Sequence, residues 1–202
     1  LRFIPEYLTS LITTHFICVS EQDKKTGSKL LPGFIKKHSL IHAAVDYEAF
    51  YTPTFLPSYR ADKPCVIGTV SCFKEQKNLF DLLHAFQLVY QTLQEKGLPA
   101  PRLEIIGDGQ LRPAIENWIA THNLKDHISL LGWQAQVAPF LKRWDLFALS
   151  SLWEGLPCAI IEARLSRVPV IAYDVGGIAE IVRSGHNGYL IAPGDKNALA
   201  EK

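Results

Sequence analysis

The sequence predicts an α/β fold built on a doubly wound parallel sheet. From Cys65 onward, short β-branched or apolar runs of strand length alternate with longer segments whose apolar residues recur at helical spacing. The connections between them are short and rich in Gly, Pro, Asn and Asp, as expected for successive strand–helix units. Hydrophobic residues make up 48% of the 202 residues, enough for the packed core of one domain or slightly more. This combination indicates a Rossmann-like parallel sheet with helices on both faces.

Each element of the sheet has its own signal in the sequence. The longest helical pattern follows Asn78, a predicted N-cap, and ends before Gly97, while Pro113 and Pro157 stand at the starts of two further helices. The predicted strands are Cys65–Ser71, Arg102–Gly107, Ile128–Gly132, Asp145–Ser150, Val168–Tyr173 and Tyr189–Ala192. The predicted helices are Asn78–Gln94, Leu111–His122, Val137–Trp144, one that begins at Pro157, and Ile178–Val182. Upstream, Phe16–Val19 is predicted as a short buried strand with a cap residue, Ser20, after it.

The prolines divide the chain into three parts. Pro53, Pro57 and Pro64 bracket a segment with little periodicity, which we interpret as a linker over residues 41–63. Residues 1–40 are then the last elements of a preceding domain, and residues 64–202 form the domain with the parallel sheet. The chain starts without Met and stops in a helical pattern, so we expect a fragment of a longer protein.

Charge and cysteine content exclude several classes of protein. With 21 Lys plus Arg against 20 Asp plus Glu, the chain lacks the basic surplus of a nucleic-acid-binding protein. No apolar run reaches the ~18 residues of a membrane span. The four cysteines, which have neither CxxC spacing nor His companions, are predicted to be reduced core thiols of a cytoplasmic protein. No metal site is expected.

Ligands of doubly wound sheets bind beyond the carboxyl ends of the strands, which selects five loops. They are Ser71–Asn78, Gly107–Leu111, Gly132–Gln136, Ser150–Pro157 and Asp174–Gly177. Lys77 stands before a helix start, where it could hold an anion together with the helix dipole, although a solvent lysine is the alternative. Trp133 could line a base pocket or be buried. The paired glycines 176 and 177 could admit a ligand or simply form a tight turn.

The stretch from Ser150 to Arg164 carries two carboxylates of special interest. Glu154 lies in a Gly/Pro turn, and the helix start at Gly155, Leu156 and Pro157 offers free N–H groups suited to a diphosphate. Glu162 follows on the helix, where its neighbours at helical spacing are small or apolar: Cys158, Ala159, Leu165 and Ser166. Such surroundings suggest that Glu162 holds a polar partner. The alternatives are a solvated loop acid at Glu154 and a cap of a buried backbone group at Glu162.

The order and spacing of these motifs resemble the C-terminal, donor-binding domain of retaining glycosyltransferases of family four, which have the two-domain GT-B fold. The resemblance runs from about Ile41 to the end and rests on several short motifs. They are Lys77-Asn-Leu, Ile106-Gly-Asp-Gly109, Asp145-Leu-Phe-Ala-Leu-Ser-Ser151, Glu154-Gly-Leu-Pro157, Glu162-Ala, Pro169-Val-Ile-Ala172, Asp174-Val-Gly-Gly-Ile-Ala-Glu180, Asn187-Gly188 and Pro193-Gly194.

The resemblance implies a nucleotide diphosphate sugar as donor substrate, with no separate cofactor. It implies that Lys77 neutralises the diphosphate, that Glu154 faces the donor sugar, and that Glu162 accepts hydrogen bonds from the ribose. Trp133 would lie at the base. The remaining members of the expected donor site are Gly107, Asp108, Gly155 and Leu156.

Three positions depart from the family pattern. Thr69 stands where the family often has a phosphate-binding Arg, and Lys74 is the candidate replacement. Arg164 occupies a position where a small residue or Met is usual, and Arg167 a position where Gly is usual.

The implied activity is transfer of the sugar, with retention of configuration, to a saccharide or lipid-linked glycan in polysaccharide or glycolipid biosynthesis. The acceptor site would belong to the missing N-terminal domain, so the fragment is expected to be inactive alone. The full-length protein would be cytoplasmic or peripheral at the membrane. Two alternatives stay open: another GT-B enzyme, such as a sugar-nucleotide epimerase or a phosphorylase, and a non-catalytic nucleotide-binding module.

Overall fold

The computed structural model describes residues 4–53 and 63–202, so Pro57 and much of the predicted linker lie outside the described residues. The first part contains helices α1 (Ile4–Ser10), α2 (Glu21–Leu30) and α3 (Tyr47–Phe50) and strands β1 (Phe16–Cys18) and β2 (His38–Leu40). The two strands pair in parallel as a sheet of their own. The predicted cap is confirmed, because the side chain of Ser20 accepts a hydrogen bond from the Asp23 amide at 3.0 Å.

The predicted parallel sheet is confirmed in residues 63–202. Its strands are β3 (Val66–Val70), β4 (Arg102–Ile106), β5 (Ile128–Gly132), β6 (Leu146–Leu149), β7 (Val170–Tyr173) and β8 (Gly188–Ile191). The helices are α4 (Leu79–Glu95), α5 (Arg112–Thr121), α6 (Ala138–Leu141), α7 (Cys158–Leu165), α8 (Ile178–Ile181) and α9 (Lys196–Glu201). All paired strands run parallel, in the order β5-β4-β3-β6-β7-β8.

This strand order places a topological switch point between β3 and β6. The chain moves outward from β3 to β4 and β5, then returns to the other side of β3 and continues through β6, β7 and β8. Ile67 of β3 faces Leu146 of β6 where the two halves meet. Connections leave the two central strands in opposite directions, which opens a crevice at their carboxyl ends. The loops that follow β3 and β6 therefore border the expected ligand site.

Three helix starts or lengths differ from the sequence predictions. Helix α7 begins at Cys158 because Pro157 has an extended ψ of 113° and is the N-cap, not the first helical residue. Asn78 is the N-cap of α4, as predicted, but it has a left-handed conformation and its side chain makes no cap hydrogen bond, while its side-chain NH2 group donates to Asp81. Helix α6 is shorter than predicted and ends at Leu141, since the chain then turns to bury Trp144.

The cysteine prediction is half correct. All four cysteines are free, and Cys18 is buried, while burial raises the pKa of the partly buried Cys65 thiol to about 11. Cys72 and Cys158 are exposed, so their assignment to the core is wrong. Both lie in the segments that follow the carboxyl ends of β3 and β6, where the chain leaves the core for the crevice.

Gly68 in β3 has a packing role. A β-carbon at Gly68 would overlap the indole ring of Trp144, which is 1% exposed. The indole N–H of Trp144 donates to partly buried Glu104 at 2.8 Å, so a hydrogen bond as well as packing fixes the ring against the sheet. The close approach of strand and ring thus requires glycine.

We therefore expect Gly68→Ala to lower the free energy of unfolding by about 1–3 kcal/mol, the usual cost of overpacking a filled core. Urea denaturation followed by fluorescence and circular dichroism measures this change. Introducing Gly68→Ala into a Trp144→Leu background is the control, because the smaller side chain leaves room for the methyl group. An equal cost in both backgrounds would show that the ring is not the cause.

Candidate functional site

An ion pair joins the two loops that border the crevice. The Lys77 ammonium lies 2.6 Å from a carboxylate oxygen of Glu154. Lys77 comes from the loop after β3 and Glu154 from the loop after β6, so the pair spans the switch point. Their side chains are only 19% and 8% exposed. Two sequence-predicted site residues are thus brought together, and each neutralises the other's charge in a largely desolvated place.

Backbone and side-chain contacts hold Lys77 in position. It ends a short 3-10 turn, Glu75–Lys77. The hydroxyl of buried Ser150 donates to the carbonyl groups of Lys77 at 3.1 Å and Asn78 at 2.9 Å. Ser150 follows β6 directly, so this hydroxyl ties the first crevice loop to the end of the neighbouring strand.

A second layer of hydrogen bonds lies behind the lysine. The Asn78 amide and the Tyr173 hydroxyl both donate to Asp81, at 2.6 and 2.8 Å. Burial, together with the adjacent Asp81 carboxylate, raises the pKa of Tyr173, so the phenol remains a donor. These bonds connect the start of α4 to β7, and they fix the backbone that carries Lys77.

The turn that carries Glu154 is held from two sides. On one side, the Gln76 side chain donates to the Trp153 carbonyl, and the Leu152 amide donates to the Gln76 carbonyl, both at 2.8 Å. On the other, the Gly177 amide donates to the Gly155 carbonyl at 2.7 Å.

The paired glycines 176 and 177 allow the loop after β7 to approach the Glu154 turn closely. Gly176 has a φ of +57°, and a β-carbon there would overlap the carbonyl of Glu154. The glycines therefore form a tight turn against the Glu154 backbone, as one of the two alternatives from the sequence has it, and contact of this turn with a ligand stays a prediction.

Helix α7 begins directly after this turn and presents unpaired backbone donors. Its N-cap, Pro157, has no side-chain oxygen to accept them. Within the described residues, the amides of Leu156, Cys158 and Ala159 donate to no backbone or side-chain acceptor. Gly155 is partly buried and Leu156 is buried. The positive end of the helix dipole and these free N–H groups both attract negative charge. The space in front of them therefore favours an anion.

Glu162 is half-buried one turn further along α7, and burial raises the pKa of its carboxyl group. No hydrogen bond or ion pair to the Glu162 carboxylate occurs among the described residues, so the alternative that it caps a buried backbone group is wrong there, and the expected polar partner stays a prediction. Partial burial removes some of the water around this carboxylate, so hydrogen bonds from a ligand would be favourable there. The acceptor atoms of Glu162 are therefore available for a ligand.

The loops after β4 and β5 carry the remaining predicted site residues. Gly107, with a φ of +127°, packs against the Ser71 carbonyl, which leaves no room for a β-carbon. Asp108 is exposed and pairs with Arg112 at 2.9 Å, a contact that lowers the pKa of its carboxyl group. Trp133 is 78% exposed, so the alternative of a buried tryptophan is wrong. Their roles in donor binding stay predictions.

Several residues that shape the site were not singled out by the sequence. Ser150 and Tyr173 appeared only as strand ends, because nothing in the pattern shows which loop they contact. Glu180 accepts hydrogen bonds from the amides of Glu21 at 3.1 Å and Gln22 at 3.2 Å, and so caps α2 from the other part of the chain. This cap fixes α2 beside the turn of Gly155 and Gly177.

Two general properties of the described chain bear on the site. Across residues 4–53 and 63–202, the His, Cys, Asp and Glu side chains form no group of three that could hold a metal ion. Among the same residues, no helix has the length and apolar character needed to cross a bilayer.

Comparison with known proteins identifies the chain's relatives. The family model described as "Glycosyl transferases group 1" matches residues 55–202. The chain is 31% identical over 198 residues to the Escherichia coli UDP-Gal:alpha-D-GlcNAc-diphosphoundecaprenol alpha-1,3-galactosyltransferase, covering 94% of this chain and 50% of that protein. It is also 31% identical over 133 residues to the Bacillus anthracis N-acetyl-alpha-D-glucosaminyl L-malate synthase, covering 66% and 33%. The chain thus spans half or less of the length of these curated relatives.

Solved structures show the same fold at lower identity. A mutant of S. aureus TarM in complex with Fondaparinux, alpha-GlcNAc-glycerol and UDP superposes with a TM-score of 0.83 at 22% identity, covering 96% of this chain and 36% of that one. Anabaena Alr3699/HepE in complex with UDP and glucose gives a TM-score of 0.79 at 22% identity, covering 94% and 52%. At these identities the similarity establishes the fold alone.

The raised pKa of Glu162 should make the stability of the protein depend on pH. Because its pKa is raised in the folded state, the folded protein holds the proton more strongly than the unfolded chain does. The stabilising contribution of the protonated carboxyl is complete below the ordinary carboxyl pKa of about 4.3 and is lost as pH rises through the raised value. Glu162→Gln should therefore be at least as stable as the parent at pH 7, and its advantage should shrink as the pH falls towards 4.

Thermal and urea unfolding between pH 4 and 8, without nucleotide, measure this difference. Glu116→Gln is the matched control, because Glu116 is an exposed helical glutamate paired with Arg112. A Glu162→Gln protein that is clearly less stable than the parent at pH 7 would mean that the carboxylate has a structural partner after all.

Proposed function

The chain belongs to the group 1 glycosyl transferases, and on this premise we propose that its crevice binds the nucleotide diphosphate sugar that such an enzyme uses as donor. The Lys77–Glu154 pair is the observation that carries the proposal. It combines a cation for a diphosphate with a carboxylate for sugar hydroxyls at the switch point of the sheet. Neither charge has another ionic partner within the described residues, so a donor can engage both.

The chemistry follows from the position of the two charges. Transfer breaks the bond between the anomeric carbon and the diphosphate, so negative charge grows on the leaving group while the sugar becomes oxocarbenium-like. Lys77 and the free amides at the start of α7 would stabilise the diphosphate as it leaves. Glu154 would orient the sugar through its hydroxyl groups and stabilise its positive charge. We propose the retaining stereochemistry of family four, which the motif pattern from Lys77 to Glu180 supports.

Donor binding would replace the ion pair with stronger, specific contacts. Without donor, Lys77 and Glu154 satisfy each other at 2.6 Å. The arriving diphosphate would accept from Lys77, and the sugar hydroxyls would donate to Glu154, so neither buried charge is left unpaired. This exchange explains why both residues can be largely buried yet available.

The nucleoside would occupy the space beside α7. Glu162, whose carboxylate lacks a partner in the described chain, would accept hydrogen bonds from the ribose hydroxyls, and exposed Trp133 would lie near the base. Gly107 and Asp108 would contribute backbone groups at the neighbouring loop. We propose uridine as the base, because the names of the E. coli relative and of the TarM and HepE complexes include UDP.

The acceptor site would be built mainly by residues outside this sequence. We propose that residues 1–40 are the last elements of an acceptor-binding domain and that residues 41–63 link it to the donor domain. A saccharide or lipid-linked glycan is the acceptor class we infer, since the E. coli relative is named for a diphosphoundecaprenol acceptor.

The roles of Lys77 and Glu154 can be separated by their nucleotide dependence. Lys77→Ala should weaken UDP binding by about 1.5–3 kcal/mol, the value of hydrogen bonds to charged groups, and leave uridine binding nearly unchanged. Glu154→Gln should keep or strengthen UDP binding, because Lys77 is released from its pair, yet remove the gain in affinity that the sugar of a UDP-sugar provides. Calorimetric titration measures the affinities of the parent and both variants for uridine, UDP and UDP-sugars.

Lys125→Ala, which alters an exposed lysine in a turn at the amino end of β5, is the matched control. Lys74→Ala tests whether Lys74 replaces the phosphate-binding Arg of the family. Equal weakening of uridine and UDP by Lys77→Ala would contradict the proposal. Unchanged UDP-sugar binding in Glu154→Gln would favour a nucleotide-binding module without transferase chemistry.

Catalysis should need more than this chain. Holding two reactants together can lower a barrier by about 7–11 kcal/mol, and the donor domain positions one of them. We expect the 202 residues to bind UDP but to release it from a UDP-sugar slowly and independently of acceptor. Coupled detection of UDP, with and without saccharide and lipid-linked acceptors, tests this. Acceptor-dependent turnover would place the acceptor site within the present chain.

A further inference from the structure

A second depression lies at the opposite edge of the sheet from the crevice. It has a volume of about 460 Å³ and is formed at the amino ends of β6, β7 and β8. The end of α7 and the turn before β8 form its walls, with Arg164 and Arg167 on one side and Gly185–Tyr189 on the other. Its size is within the range of small-ligand sites. The donor chemistry described above makes no use of this depression.

The charge of this depression is one-sided. Its strongly basic lining side chains are Arg164, Arg167 and Lys202, joined by His186, and no Asp or Glu side chain of the described residues lines it. The chain as a whole has a net charge of only +1. Overall charge therefore does not account for the concentration of basic groups here, which is a local feature of the fold.

Arg164 is the best-defined group in the depression. Its side chain is half-buried, yet within the described chain it makes a single hydrogen bond, to the Asn187 carbonyl at 3.3 Å. Burial lowers the pKa of this guanidinium, because its charge is incompletely solvated and lies near no carboxylate that compensates for it. A guanidinium offers five N–H donors in a planar fork, so most of its binding capacity is unused.

Arg167 adds a second guanidinium at a strained backbone position. It has a left-handed φ of +59°, which closes the end of α7 and which glycine adopts without cost. Favourable interaction with the dipole of α7 would explain a cation near the helix end. It does not explain why a β-carbon-bearing residue occupies the left-handed position, or why Arg164 is withdrawn from solvent. Left-handed conformations at residues that carry a β-carbon are often found at functional sites.

We propose that this arginine pocket, defined by Arg164, Arg167 and the turn Gly185–Gly188, binds a phosphate group. Two planar guanidinium groups match the oxygens of a phosphate better than they match a halide or a carbonyl. The phosphate could be carried by an anionic lipid headgroup or by a soluble phosphate compound, since both present the same oxygens. This site lies at the amino ends of β6, β7 and β8, whereas the donor crevice lies at the carboxyl ends of the strands.

Amide NMR on the 202-residue chain tests the proposal site by site. Inorganic phosphate is titrated at constant ionic strength, and the signals of Gly185, His186 and Gly188 are followed separately from those of Gly155 and Leu156, which report the crevice. The test variant is the double substitution Arg164→Met and Arg167→Gly. The control variant, Arg102→Met with Lys125→Met, removes two positive charges near the amino ends of β4 and β5, on the same sheet edge but outside the pocket.

We expect saturable shifts at Gly185–Gly188 in the parent and control, and affinity weaker by about tenfold or more in the test variant. Arg167→Gly alone should weaken binding without lowering the unfolding midpoint, which separates a binding role from a structural one. Absence of saturable shifts, or equal loss in the control variant, would overturn the proposal. So would a fall in stability with Arg167→Gly at unchanged phosphate affinity.

Sedimentation with vesicles distinguishes the two phosphate sources. Phosphatidylcholine vesicles with and without one-third phosphatidylglycerol are compared for the parent, test and control proteins. Selective capture of the parent and control by the anionic vesicles supports a lipid headgroup. Phosphate-dependent NMR shifts without capture support a soluble phosphate compound. Capture of all three proteins alike would mean that this pocket is not the lipid contact.

Discussion

The ion pair between Lys77 and Glu154 is the contact on which the arrangement of the crevice depends. Each charge is largely removed from water, and each would be strongly unfavourable without the other. Because the two residues come from loops after β3 and β6, their attraction draws together the two halves of the sheet at the switch point. The hydrogen bonds around the ion pair hold these two loops in position relative to each other.

Hydrogen bonds and close backbone contacts from several elements support the two residues of the ion pair. Ser150 fixes Lys77 from the end of β6, and the Gly176–Gly177 turn supports the backbone of Glu154 from the end of β7. Glu180 then extends the support to α2, whose first amides it caps. Helix α2 from the first part of the chain is thereby held beside the turn that carries the residue proposed to orient the sugar.

Polar groups without partners lie where binding is proposed. Glu162 and the first amides of α7 are unsatisfied within the described chain, and Arg164 uses little of its donor capacity. Such groups reduce the stability of the folded protein, since burial is compensated only when hydrogen bonds replace water. Stability and binding therefore compete at these positions, whereas at Gly68 and Trp144 close packing serves stability alone.

The parallel sheet, most of its element boundaries and the candidate residues of the crevice could be predicted from the amino-acid sequence. Those features depend on local patterns: apolar periodicity, a cap at Ser20, and glycine and proline at chain turns. The sequence did not reveal that Lys77 and Glu154 form a pair or that Ser150, Tyr173 and Glu180 support the site. These contacts join residues that are distant along the chain, and only the strand order brings them together. Tertiary structure also decided the solvent exposure of Cys72, Cys158 and Trp133, because exposure depends on what the rest of the chain covers.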